Sequence, residues 1–189
     1  DKVSRAIRSV QALEELGAEV LVARADVASE AQMRDMVMAA RQRFGGIDGV
    51  VHAAGVPGGG VIQLRDPAAS AAVMRPKVLG TRVLERVLAD EPLEFIVLCS
   101  SLTGVTGAPG QVDYCAANAY LDAFARAHSL RGTFTVSIDW DTWREAGMAV
   151  DAKLPKDLAA AREQALAHGL SGAEGIDVFK RCLSSALPQ

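Results

Sequence analysis

Apolar residues along this chain recur at two different periods in turn, and that alternation restricts the available folds more than any single motif does. Val3, Ile7, Val10, Leu13 and Leu16 stand three or four apart, which predicts a helix ended by Gly17. The run Ala18–Ala23 then reads as a short buried strand. Ser29 with Gln32 forms a capping-box pattern, and Met33, Met36, Val37, Ala40 and Phe44 continue a helix to Gly45-Gly46. A second strand is predicted over Ile47–Ala54, leading into a loop at Gly55–Gly60. Asp66-Pro67 opens a third helix as N-cap and first-turn proline. It runs toward Leu88, with Pro76 expected to kink or break it. A third strand is predicted over Glu94–Ser100, a helix over Asp113–Leu130, and a fourth strand over Thr133–Asp139. A polar helical stretch near Asp157–His168 and a helix capped by Ser171 and Glu174 close the pattern. Helices and strands in alternation require right-handed crossovers and a parallel sheet covered on both faces. The expected fold is α/β and doubly wound.

The rest of the composition narrows the function classes. The 189 residues fit one domain, half are hydrophobic, and the formal net charge is −3. That describes a globular chain with a full core. The slight acidity argues against nucleic acid as a partner, since a phosphate backbone needs a basic face. No apolar run approaches the roughly 18–20 residues of a membrane span. Cys99, Cys115 and Cys182 are widely separated, which argues against a disulfide framework or a metal site and favours the cytoplasm. The start, Asp1-Lys2-Val3-Ser4, has no signal-peptide pattern and no initiator Met, so the chain is expected to begin inside a longer protein.

Three features converge on the carboxyl ends of successive strands, where open α/β sheets bind ligands. Ser100-Ser101 ends the third strand, and Tyr114 follows Ser101 by thirteen residues. Tyr114 and Asn118, four apart on a helix, share one face. Lys77 lies just past Pro76. An alcohol, a phenol, a carboxamide and an ammonium brought together suit reduction of a ketone. Hydride arriving at the carbonyl carbon leaves charge on oxygen, which needs a hydrogen bond and then a proton. Tyrosine, with a free pKa of about 10, is a donor at neutral pH, and an adjacent Lys77 ammonium is expected to lower that value. Ser101 would hold the substrate oxygen, and Asn118 would orient a water or backbone group in the proton path.

These motifs resemble the short-chain dehydrogenase/reductase family, and specifically the ketoreductase domains of modular polyketide synthases. Val51-His52-Ala53-Ala54-Gly55-Val56 is similar to the strand end that lines the cofactor. Arg75-Pro76-Lys77-Val78-Leu79-Gly80 is similar to the segment carrying the catalytic lysine. Leu98-Cys99-Ser100-Ser101 with Gly104 matches the serine motif, and Pro109-Gly110-Gln111 with Tyr114–Asn118 the tyrosine motif. Asn118 stands where most relatives carry Lys, an exchange typical of the polyketide branch. The resemblance implies catalytic roles for Tyr114, Ser101, Lys77 and Asn118. It implies cofactor contacts from Asp26, Val27, His52, Ala53, Ala54, Gly55, Lys77 and Tyr114. It places Trp140, Trp143, Gly147 and Met148 in a substrate lid, although the two tryptophans read equally well as core. The implied reaction is NADPH-dependent reduction of a β-ketoacyl thioester, carried by an acyl carrier protein, to the β-hydroxyacyl thioester. Neighbouring domains of the same synthase are implied partners. The alternatives are a silent scaffold of the same shape and a dehydrogenase acting on a free alcohol or ketone. The family's markers of hydroxyl configuration are replaced here by Pro57-Gly58-Gly59 and Thr106, so the resemblance implies neither configuration.

No glycine-rich phosphate turn follows any strand. Gly58-Gly59-Gly60 comes after the second visible strand, at the wrong spacing. The expectation is a single domain over residues 1–189 that lacks its first two strands, with that turn, and its final strand. In the strand order of this fold the two absent strands lie between Ala18–Ala23 and Ile47–Ala54. Those two strands should then stand roughly 10–15 Å apart, unpaired with each other. His52 is expected to be packed, His128 and His168 to be surface helix residues, and Asp139 and Asp141 to alternate along a strand and its exit rather than pair.

Overall fold

Three runs of β-branched and apolar residues form parallel strands in the computed structural model, which describes residues 2–128, 132–151 and 163–189. They are β1 (Gly49–His52), β2 (Phe95–Ser101) and β3 (Phe134–Trp140), in the order β1-β2-β3. Val97 pairs with Val51 on one side and Val136 on the other. Around them lie α1 (Lys2–Glu15), α2 (Glu30–Phe44), α3 (Pro67–Val87), α4 (Thr103–Thr106), α5 (Val112–His128), α6 (Met148–Asp151), a helical segment α7 over 163–168, and α8 (Gly172–Ser184).

Strand alternation sends successive side chains to opposite faces. Ile96 and Leu98 pack on Leu121, Phe124 and Ala125 of α5. Val97, Val136 and Ile138 pack on Val178, Phe179, Cys182 and Leu183 of α8. A third cluster joins Met33 and Val37 of α2 to Val83 and Val87 of α3, beneath Ile47 and Val50. Helices thus cover both faces of a parallel sheet.

The helix signals resolve in detail. Asp66 accepts from the backbone amides of Ala68 and Ala69, with Pro67 in the first turn. Ser171 and Glu174 form the expected capping box. The box expected at Ser29 does not form: the Ser29 side chain caps nothing, and Gln32 instead accepts from the Asp26 amide at 2.8 Å. Pro76 does not break α3, which runs through it from Pro67 to Val87. A proline forfeits one amide bond, and here the helix is packed along its length against α5 and α2. The first part of the predicted polar stretch, up to residue 162, lies outside the described residues.

One strand expectation is overturned. Ala18–Ala23 forms no strand, and Leu21 and Val22 are exposed. No described strand lies beside this segment, and an extended chain without a ladder partner is not a strand. It does not pair with β1, whose described partner is β2 alone. At the opposite edge, the Ser137 amide donates to the Pro188 carbonyl at 2.8 Å, so the tail lies along β3.

Candidate active site

The carboxyl ends of β1 and β2 and the first turns of α5 bring the predicted groups together. Ser101 is the last residue of β2, and its hydroxyl accepts from the Thr103 amide (3.3 Å) and hydroxyl (3.1 Å). Tyr114 lies in the first turn of α5 and is half-buried. Burial pushes its phenol above the ordinary tyrosine value, while hydrogen bonding to the Asn118 side chain and the Ser101 hydroxyl pulls it back. Ser101 and Asn118 are thus close enough to the Tyr114 phenol to act on it. Asn118 is fully buried and donates through Nδ2 to the Tyr114 carbonyl at 2.8 Å, whereas its Oδ1 has no partner.

Lys77 occupies the middle of α3 and is almost fully buried. Its Nζ donates to the Cys99 carbonyl at 2.6 Å. Burial lowers its pKa to about 8, against smaller raising effects of Cys99 and Asp122. The sequence led us to expect the Lys77 ammonium to lower the Tyr114 pKa. The groups that lower it are Asn118 and Ser101, and the ammonium is bound to the Cys99 carbonyl of β2. Lys77 instead stands beside Gly55, where an added Cβ would meet its Cε at 3.3 Å and Met148 Cε at 3.9 Å.

The remaining predicted residues divide into two groups. Ala53, Ala54 and Gly55 form a small-residue ledge just past β1, with Ala53 and Gly55 exposed. His52 is packed, as expected, with Nε2 3.2 Å from the Pro76 carbonyl. Burial, then the Lys77 charge, lower its pKa to about 4, so the ring is neutral and Nε2 carries the donated proton. Asp26 is exposed and bonded to Arg75 at 2.5 Å, which holds its carboxyl below the usual range. Val27 packs on Gly80 so closely that a Cβ there would lie 2.8 Å from Val27 Cγ1.

Trp140 and Trp143 form the second group. Their rings are tilted against each other with centroids 4.9 Å apart, and they line an apolar groove of about 360 Å³ with Ile176, Phe179 and Leu183 of α8. Gly147 has φ 89° and leads into α6, whose first residue is Met148. Of the predicted lid residues, the structure sets Met148 near Gly55 and the tryptophans against α8.

Two features are not visible in the sequence. Asp122 of α5 is buried, accepts from Ser137 Oγ at 2.6 Å, and faces Asp139. The sequence sets Asp139 and Asp141 in alternation along a strand and its exit rather than as a pair. The carboxylate pair is Asp122 with Asp139, and only the packing of α5 on β3 reveals it. The second is Arg65, whose guanidinium reaches Asp113 at the start of α5. Nothing in local spacing marks either pair.

Comparison with known proteins agrees with this architecture. The family described as "KR domain" matches residues 2–145. Polyketide synthase GfsB of Streptomyces halstedii is 38% identical over 184 residues, which are 94% of this chain and 3% of that protein. Polyketide synthase ThaG of Burkholderia thailandensis is 36% identical over 173 residues, 88% of this chain and 3% of that protein. The chain thus spans a small fraction of the relatives it matches. Among solved structures, the N-terminal ketoreductase from a macrolactin assembly line superimposes with a TM-score of 0.81 at 32% identity, covering 97% of this chain and 36% of that one. PlmKR1, a ketoreductase of phoslactomycin biosynthesis in Streptomyces sp. HK803, gives 0.83 at 30% identity, covering 95% and 40%. With the family match over most of its length and these relatives, the chain belongs to the KR domain family, the ketoreductase domains of polyketide synthases.

Proposed function

We propose that this chain supplies the catalytic side chains for NADPH-dependent reduction of a β-ketoacyl thioester carried by an acyl carrier protein. What supports this reading is that the Ser101 and Asn118 side chains lie close enough to the Tyr114 phenol to lower its pKa, at the carboxyl end of a parallel sheet. Its raised pKa keeps Tyr114 protonated at neutral pH, as a proton donor must be. Ser101 Oγ would donate to the β-carbonyl oxygen and polarise it. Tyr114 Oη would then pass its proton to that oxygen as charge develops there. The orphaned Asn118 Oδ1 offers an acceptor for a water that returns a proton toward Tyr114.

The residues present suit the nicotinamide half of a dinucleotide. The small residues Ala53-Ala54-Gly55 would let a flat ring approach the backbone, and Lys77 Nζ lies beside Gly55 with a depressed pKa. Bound there, the reduced cofactor supplies the hydride. Asp26 and Val27 would hold the adenine end. The pyrophosphate cradle is assigned to additional strands at the open edge of β1. There Met36, Phe44, Val50 and Leu84 line an apolar hollow of about 470 Å³, and the segment at 18–26 has no ladder partner among the described residues. An exposed apolar strand edge is a template for further strands.

The test is made on the full-length protein with a β-ketoacyl thioester, following cofactor absorbance. Tyr114→Phe should lower turnover by about 10²–10⁴-fold with an unchanged circular dichroism spectrum. No turnover by the unmodified protein would favour a silent scaffold. Turnover of free ketones but not thioesters would favour the dehydrogenase alternative.

A further inference from the structure

We infer that Arg65 is a positioning residue for Tyr114, acting through Asp113 to lock the loop after β1 onto the first turn of α5. The inference rests on the reading of Tyr114 as proton donor.

Arg65 follows the short 3-10 turn at Ile62–Leu64 and precedes α3. Its Nε donates to Asp113 Oδ2 at 2.6 Å and its Nη2 to the same oxygen at 2.5 Å. Its Nη1 donates to the Gly59 carbonyl. The other carboxylate oxygen, Asp113 Oδ1, accepts from the Tyr114 amide at 2.8 Å. One guanidinium therefore binds the glycine loop with one nitrogen and the residue before Tyr114 with two others. The Asp113 side chain is 2% exposed and that of Arg65 19%, so solvent screens this pair far less than a surface pair. Breaking it would leave a buried carboxylate uncompensated.

The close approach of the loop gives the pair its consequence. An added Cβ on Gly58 would lie 2.6 Å from Asp113 Oδ1 and 2.9 Å from Tyr114 Cβ. An added Cβ on Gly110 would stand 3.5 Å from the Gly60 carbonyl. The backbone at 58–60 thus rests against the turn that carries Tyr114, and only a residue without a side chain permits this at position 58. The same loop begins at the ledge Ala53-Ala54-Gly55 and ends at the helix bearing Lys77. Ledge, lysine helix and phenol are tied at one point. Arg65 does not touch the reacting atoms. It sets where the Tyr114 ring stands relative to them, and a displacement near 1 Å at a reacting group costs up to about a hundredfold in rate.

Planar, two-acceptor recognition is specific to a guanidinium. Lysine at position 65 can satisfy either Asp113 or Gly59, not the whole arrangement. In the full-length protein, Arg65→Ala should lower kcat by about 10- to 100-fold with KM for the thioester within about twofold. Arg65→Lys should recover only part of that loss. Hydrogen exchange, which requires no turnover, should show faster exchange of the Tyr114 amide and of the 55–65 loop in Arg65→Ala. The core amides of β2 should keep their protection. A merely structural role predicts a lowered melting temperature with unchanged kcat per folded molecule. Unchanged kcat in folded Arg65→Ala, or unchanged exchange at Tyr114, overturns the inference. Full activity of Tyr114→Phe would instead remove the reading beneath it, whatever the exchange data show.

Discussion

The ammonium of Lys77 donates to the backbone carbonyl of Cys99 at 2.6 Å, fastening the middle of α3 to the strand that ends in Ser101. The contact holds a cation in a nearly closed site, and burial is the main reason its pKa falls to about 8. That is an unfavourable place for a charge, and four consequences of this and related contacts are open to measurement.

Replacing the buried ammonium by an apolar side chain removes the cost of keeping it charged. Lys77 has a folded-state value depressed from 10.5 to about 8. Its contribution to stability is thus present above the unfolded value and lost as pH falls through the folded one. At pH 7 the loss is nearly complete. Lys77→Met is expected to raise unfolding free energy at pH 7 by roughly 1–3 kcal/mol, an advantage that fades toward pH 10. The same variant should lose reductase turnover. Urea titrations at pH 7 and pH 10 check the first expectation, and a variant less stable at both contradicts it.

His52 responds to acid. Its folded-state value, about 4, lies below the free 6.5. The unfolded chain therefore takes up a proton in this window while the folded one does not, and stability falls as pH drops from 6.5 to 4. The loss is on the order of 3 kcal/mol. His52→Gln keeps a donor for the Pro76 carbonyl but cannot titrate, so the stability difference between the two proteins should move in favour of the variant as pH falls from 7 toward 4. A pH-independent difference would contradict this role.

Asp122 behaves in the opposite sense. Burial raises its pKa, and the neighbouring Asp139 carboxylate raises it further, against hydrogen bonds from Ser137 and Ser100. A raised acid contributes stability that is full below its unfolded value and is lost as pH climbs through the folded one. Asp139→Asn removes the facing charge and supplies a donor near the unpartnered Asp139 Oδ1 position. It should stabilise the protein at pH 7 by roughly 0.5–2 kcal/mol and leave it nearly unchanged at pH 4. Denaturant midpoints at the two pH values decide, and equal shifts at both would exclude like-charge repulsion as the cause.

Gly80 bears on the cofactor reading. A methyl group there would stand 2.8 Å from Val27 Cγ1, so Gly80→Ala must displace the segment at Asp26–Val27. If that segment holds the adenine end, NADPH should dissociate several-fold more readily, by about 1 kcal/mol, while kcat at saturating cofactor stays close to that of the unmodified protein. Fluorescence titration of NADPH measures this directly. Unchanged affinity would remove Asp26 and Val27 from the cofactor site.

Much of this protein could be read from local pattern. Apolar spacing located the helices from Lys2 and Glu30 and the strands at Phe95 and Phe134 within a few residues. The caps at Asp66 and Ser171 were legible because a cap is a contact between residues two or three apart. The thirteen-residue step from Ser101 to Tyr114 and the four-residue step to Asn118 were legible for the same reason: strand end, loop and helix turn fix them in order. The strand expected at Ala18–Ala23 failed because its composition describes only half of a strand. The other half is a neighbour that donates and accepts, and the described chain places none beside it.

The sequence alone thus determined the alternating α/β architecture, the two-faced burial of β2 and the shared helix face of Tyr114 and Asn118, since each follows from residue order and helical or strand period. The tertiary structure alone decided which distant groups meet. It bound Lys77 to the Cys99 carbonyl, set Asp122 against Asp139, and joined Arg65 to Asp113. Such pairs form across layers, between residues 22 apart for Lys77 and Cys99 and 48 apart for Arg65 and Asp113. At those separations side-chain reach and packing, rather than any backbone period, fix the distance.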